Sequence, residues 1–119
     1  MKVLHVNYYD HKGGASIGVN RLHKALLNQG LDSKILVSEK NSNDEKIIGP
    51  KSTLEELVNQ IRISLSRFIK RNLTKTDNKE TFSFNYLNTN ILNKINKFDA
   101  YVVHLHWIGN EMISISQII

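Results

Sequence analysis

Residues 1–18 restrict the fold more than any other stretch. Val3-Leu4-His5-Val6 is a short apolar run that ends in Asn7-Tyr8-Tyr9-Asp10 and then in His11-Lys12-Gly13-Gly14-Ala15-Ser16. An apolar stripe at helical spacing follows, formed by Ala15, Val19, Leu22 and Leu26. Buried strand, glycine-bearing loop and helix start, in that order, open a nucleotide-binding α/β domain. Glycines let the backbone come close to a ligand, and the free N–H groups of a first helical turn attract anions. Gly18, one turn further on, is expected to let helix and strand pack closely. The pattern is not G-x-G-x-x-G, since Ala15 stands where the second glycine would be, and there is no G-K-[ST] phosphate loop. Two readings therefore stay open: a loop that approaches a ligand, and a tight turn only.

The rest of the chain continues the alternation. The first helix is predicted over Ala15–Gln29, with Gly30 as its C′ residue. Ser33–Ser38 follows as a second strand, parallel to the first through a right-handed crossover. Glu39–Glu45 is polar and reads as a loop, Lys46–Gly49 as a short third strand that Pro50 stops. Ser52-Thr53-Leu54-Glu55 fits a capping box. Behind it Leu54, Leu57, Val58, Ile61, Leu65, Phe68 and Ile69 form a stripe that should face the core, in a helix reaching about Arg71. Its other face carries Arg62, Arg67, Lys70 and Arg71, which reads as solvated surface or as a contact with anionic lipid. Residues 72–81 are polar and loop-like, with Phe82 and Phe84 as anchors to the core. Leu87, Ile91, Leu92, Ile95 and Phe98 mark a short helix. Tyr101–Trp107 reads as a strand apolar on both faces, and a turn at Ile108–Glu111 leads into Met112, Ile113, Ile115, Ile118 and Ile119. That last segment is expected to lack a cap and to expose its isoleucines, so that it drives self-association.

Composition narrows the partners. The 119 residues make one domain, 40% hydrophobic and 23% charged, hence globular. There is no cysteine, which excludes disulfides and thiolate metal sites. No signal-peptide core or long apolar span appears, and the expected location is cytoplasmic, with peripheral contact at the inner face of a membrane. A net charge of +5 favours anionic partners. Nucleic acid is the least favoured of these, because the basic residues lack interleaved aromatics.

Topology points to a site. In the strand order 3-2-1-4 the direction of winding reverses between Val3–Asn7 and Tyr101–Trp107, so their C-terminal ends flank the crevice where such sheets bind ligands. The loop Asp10–Ser16 and the turn Trp107–Glu111 would then face each other. Of the histidines, His5 is expected to be buried and hydrogen-bonded, and His23 half exposed. His104 and His106 lie two apart and share a face. That spacing suits a metal, but no third ligand is apparent, and the reading is of no metal site. His106, at the strand end, is placed to bond a sugar hydroxyl or phosphate, or else is structural. Trp107 points to the other face, where packing into the core is favoured over stacking on a sugar.

With these residues in view, the chain resembles the start of a family 4 glycosyltransferase of the GT-B fold. The likeness runs through Met1–Asn7, Gly13-Gly14-Ala15, Arg21-Leu22-His23, Ala25-Leu26, Ser33–Val37, Phe82–Asn85 and Val103–Ile108. It is strongest to bacterial enzymes of capsular, exopolysaccharide or O-antigen assembly. The resemblance implies a truncated, Rossmann-like N-terminal domain on the acceptor side, a parallel sheet with helices on both faces. It implies a retaining, metal-independent transfer from a nucleotide-sugar, the donor substrate, to a glycan or lipid-linked acceptor, without a cofactor. The two-glutamate motif of the family's nucleotide-sugar-binding C-terminal domain is absent, so no catalytic residue is assigned and the fragment is expected to be inactive alone. Substrate binding falls to Gly13, Gly14, Ala15 and Ser16, with His106 beside them. Two other classes remain: a self-contained, non-catalytic nucleotide- or phosphate-binding α/β domain, and an interaction module using the basic helix.

Overall fold

The computed structural model describes residues 1–73 and 88–119. Most of the expected loop 72–81, and the anchors Phe82 and Phe84, lie outside the described residues. Among the described residues four strands form one parallel sheet in the order β3-β2-β1-β4, where β1 is Lys2–Tyr9, β2 Asp32–Glu39, β3 Ile47–Ile48 and β4 Val102–Leu105. This is the expected Rossmann-like α/β arrangement, with the first strand central. Strand β1 pairs with β2 from Lys2↔Asp32 to Tyr9↔Glu39, and with β4 from Val3↔Val102 to Val6↔Leu105. A parallel sheet needs both faces covered, and two apolar clusters do this. On one face Leu4, Val6, Tyr8 and Leu36 meet Ile91, Met112 and Ile113; on the other Val19 packs on Ile35, Val37 and Ile47.

Helix α1, Gly13–Asn28, starts two residues before the expected Ala15. It ends as glycine dictates: Gly30 has φ +76°, its N–H donates to the Leu27 carbonyl and that of Leu31 to the Leu26 carbonyl. This pair of bonds is a Schellman motif. The face of α1 turned to the sheet is Ser16, Val19 and His23, whereas Ala15 and Leu22 are exposed. Gly18 is on the outside, and a side chain there would meet nothing within 4 Å, so it does not serve close packing.

Helix α2, Thr53–Leu73, begins with half of the expected capping box. The Glu55 N–H donates to Ser52 Oγ at 3.3 Å, but the Glu55 carboxylate accepts from the Lys51 N–H at 2.9 Å. Its orientation overturns the sequence expectation. Leu54, Leu57, Val58, Ile61, Leu65, Phe68 and Ile69 are all exposed, Leu54 to 71% and Phe68 to 64%. The side turned inward carries Glu55, Asn59, Arg62, Ile63, Ser66 and Lys70. Ile91, Met112 and Ile113 lie over Leu4, Val6 and Leu36 on that sheet face, and from α2 Ile63 packs against them. Helix α2 is left outside that layer, held by Glu55–Lys94 and by Ser66 Oγ donating to Glu111 Oε1 at 2.8 Å.

Helix α3, Ile91–Phe98, ends at Asp99 in the left-handed conformation. Strand β4 is shorter than the expected 101–107 and exposed along its length, because β1 is its one partner in the sheet. The short helix α4, Ile115–Ile118, is capped after all: the Ser114 N–H donates to Gln117 Oε1 at 3.1 Å. Met112 and Ile113 are buried, which removes Ile113 from the expected sticky surface and leaves Ile115, Ile118 and Ile119 exposed.

Candidate functional site

The C-terminal ends of β1 and β4 are tied together by one side chain. Asn7, 1% exposed, accepts from the Trp107 N–H through Oδ1 at 3.1 Å. Its Nδ2 donates to the Tyr9 carbonyl at 2.7 Å and to Ser16 Oγ at 3.1 Å. Asn7 therefore fixes the end of β4, the end of β1 and the first turn of α1 relative to one another. The Ser16 hydroxyl completes this arrangement by hydrogen-bonding the Tyr9 and Lys12 carbonyls at 2.9 and 2.6 Å. Ser16 is thus buried and engaged within the protein, a positioning residue rather than a ligand donor.

A cleft of about 290 Å³ opens above this network, lined by Asn7, Tyr9, Lys12, Gly13, Gly14, Ala15, Ser16 and Trp107. Gly13 has φ +80°, which L side chains rarely adopt. At Gly14 φ is not positive and a side chain would meet nothing within 4 Å, so the fold itself does not require glycine there. The first turn of α1 carries no acidic residue, and its N-cap, Lys12, makes no side-chain cap bond. Its positive dipole end therefore opens on the cleft without a counter-charge from its own residues. Lys12 adds a cation: Nζ is 2.8 Å from Glu39 Oε1 and 5.2 Å from the centre of the Tyr9 ring. The hydrogen bond to Glu39 holds the Lys12 ammonium above its ordinary pKa.

Opposite the glycines stands an aromatic wall. Trp107 is 42% exposed, so it does not enter the core as the sequence suggested. Its ring stacks on Tyr9 with centroids 5.9 Å apart and planes 10° apart, and meets Tyr8 edge-on at 5.6 Å. Asn7 and Tyr9 were not legible as site residues. The sequence places Lys12 at the crevice only as part of the loop Asp10–Ser16, and reads Trp107 as a sugar platform only second to core packing. The available signal was that Tyr8-Tyr9 and Trp107 close two strands that end side by side.

His106 does not line this cleft. Its Nε2 lies 3.0 Å from His5 Nδ1, on the face of the sheet shared with His104. His23 is buried rather than half exposed, with Nδ1 2.7 Å from Ser33 Oγ. Burial, with the neighbouring His106, His104 and His23, lowers the His5 pKa to about 4. Burial also lowers His23 and His106.

The two carboxylates near the strand ends are committed elsewhere. Asp10 Oδ2 accepts from the N–H groups of Asn41 and Ser42 at 2.8 and 2.7 Å. Burial pushes that carboxyl up, but these bonds outweigh it and hold it below the ordinary value. Glu111 is 3% exposed, accepts from Ser66, and lies with Asn110 in a left-handed turn at φ 60° and 55°. A larger cavity, about 350 Å³, lies between β2, α2 and α3. Of its charged residues Glu55 and Lys94 pair with each other, and Arg62 lines it as well. It lies along β2 from Leu36 to Ser38, beneath Leu54, Val58 and the inward side of α2, away from the loop glycines. Among the described residues no helix is long and apolar enough to cross a membrane. Comparison of the chain with protein-family models, curated proteins and solved structures returned no match.

Proposed function

We propose that this chain is the acceptor-side domain of a retaining GT-B glycosyltransferase that moves a sugar from a nucleotide-sugar to a glycan or lipid-linked acceptor in bacterial surface-polysaccharide assembly. The observation that carries this reading is the cleft at the switch point of the sheet. It sets an uncapped helix N-terminus and Lys12 against an aromatic wall of Tyr9 and Trp107. Backbone N–H groups, with Lys12 in its pair with Glu39, suit a phosphate, and a partly exposed indole suits a sugar ring. Gly13, Gly14 and Ala15 are the backbone contact and Trp107 the platform. Ser16 acts through the loop it fixes, and His106, directed to the other side of β4, takes no part. No side chain here is assigned a catalytic role, since Asp10 and Glu111 are both held by internal bonds.

The lipid-linked acceptor gives α2 a purpose. Its outward stripe is apolar, Arg71 is exposed beside that stripe and Arg67 is exposed further round the helix, while Arg62 and Lys70 are half-buried. An exposed apolar stripe on a helix that also carries exposed arginines suits an anionic membrane surface. The domain would then work at the cytoplasmic face of the membrane, with Arg67 and Arg71 rather than the whole basic set in contact. The second reading is a non-catalytic nucleotide- or phosphate-binding domain, favoured by the uncapped α1 terminus taken alone.

Two assays on the same protein separate the readings. Incubation with a panel of nucleotide-sugars and acceptors should give neither transfer nor donor hydrolysis, because one wall of a cleft cannot position both substrates. Calorimetry should show binding of oligosaccharide or sugar phosphate that exceeds binding of nucleotide. Micromolar nucleotide affinity without any saccharide response would favour the second reading, and turnover by this chain would contradict the acceptor-domain assignment.

A further inference from the structure

The face of the sheet away from the Leu4–Ile113 cluster carries three imidazoles from two strands. His5 and His104 are paired directly across β1 and β4, and His106 follows two residues on, so all three project to one side. One ligand atom from each can be chosen such that all lie within 4.8 Å of one another. The His104 and His106 rings are 4.1 Å apart, and those of His5 and His106 5.2 Å. His5 is fully buried, His106 half-buried and His104 exposed. The cluster thus runs from the interior to the open edge of the sheet.

We propose that His5, His104 and His106 bind a divalent transition-metal ion of the zinc class, with a fourth position open to solvent beside His104. Two nitrogens on a tetrahedral zinc with bonds of about 2.0–2.1 Å stand about 3.3 Å apart. His5 Nδ1 and His106 Nε2 are 3.0 Å apart, so the pair needs to open by a few tenths of an ångström. His104 is free at the edge to swing its ring into the third position. Three nitrogen donors with no carboxylate select zinc, nickel, cobalt or copper over calcium and magnesium. Proton balance is straightforward. The His5–His106 contact shares one N–H, which must leave the line between the rings when a metal enters. If His5 supplies that N–H, it can move to His5 Nε2, a buried nitrogen with no hydrogen-bond partner. Both rings then bind through a lone pair without net proton release.

This site is separate from the glycine cleft and does not rest on the glycosyltransferase reading. The test is titration of the full chain with Zn²⁺ by calorimetry and with Co²⁺ by visible absorption. One ion per chain with micromolar or tighter affinity is expected, together with an intense tetrahedral Co²⁺ spectrum and a raised Tm at saturating Zn²⁺. His104→Gln and His106→Gln should each weaken binding at least tenfold and remove the Tm shift. His11→Gln, on the exposed β1–α1 loop, should change nothing. His104 is exposed, so its variant keeps the fold even if His5→Gln does not. Affinity weaker than about 100 μM, or Zn²⁺ affinity that both variants retain, would overturn the proposal and leave the three rings as a hydrogen-bonded histidine cluster.

Discussion

At the scale of single residues, Asn7 and the two loop glycines have separable roles. Asn7 satisfies three partners in a buried position, so Asn7→Ala strands the Trp107 N–H and loosens the loop. A buried donor left without its partner costs about 1–3 kcal/mol, and urea unfolding should show a loss in that range. Gly13→Ala forces a side chain to φ +80° and should cost about 1–2 kcal/mol. Gly14→Ala has ordinary φ and open space, so it should leave Tm unchanged or raise it while weakening ligand binding in the cleft. The histidines set a pH response. His5, His23 and His106 all have folded pKa values lowered from 6.5, His5 to about 4. Below 6.5 the unfolded chain takes up protons that the folded one refuses. Their stabilising contribution is therefore complete above about pH 6.5 and is lost as pH falls toward 4. Asp10, whose folded pKa is lowered, loses its contribution only below its unfolded value near 3.9. Urea midpoints measured at pH 7.5 and 5.0 should therefore differ, with less stability at 5.0, and His5→Gln should reduce the difference if the variant folds.

At the scale of elements, helix α2 separates what periodicity reveals from what it does not. Its existence, its length and Ser52 as its cap were all readable, because the stripe has a 3.6-residue period and the cap chemistry is local. Which way the stripe faces was not readable. That depends on what else covers the sheet, and Met112 and Ile113, more than forty residues further on, lie over it. The same applies to β4, whose apolar run is that of a buried strand but whose place is the sheet edge. It applies to the histidines too. The pair His104 and His106 was visible as a spacing, while the third imidazole arrives through strand register, which no local pattern encodes. The exposed stripe makes its own prediction. Sedimentation with vesicles should rise with anionic lipid content and fall with added salt. Phe68→Glu should abolish it, and neutralising Arg67 and Arg71 together should remove the dependence on anionic lipid while leaving the fold intact. If binding survives both changes, α2 is not the contact.

At the scale of the whole molecule, the parallel order 3-2-1-4 follows from alternating apolar strands and a capped crossover helix, and it sets the strand ends side by side. Where those ends converge, polar side chains fix a geometry: Asn7 and Ser16 are bonded internally, and Asp10 is bonded through Oδ2 while its buried Oδ1 has no partner. What faces the cleft is an unspent helix terminus, a lysine and an indole. Exposed apolar surface on α2, β4, Ile115, Ile118 and Ile119 predicts concentration-dependent association in sedimentation velocity, suppressed by mild detergent. Trp107 is the single tryptophan of the chain, so its fluorescence reports on this cleft alone. The most direct measurement is a titration of that fluorescence with sugar phosphates, oligosaccharides and nucleotide-sugars. A saturable change with a phosphorylated or oligomeric sugar, weakened by Gly14→Ala and unaffected by His106→Gln, is the predicted result. An emission that none of these ligands alters would contradict the assignment of the cleft as a carbohydrate- and phosphate-binding site.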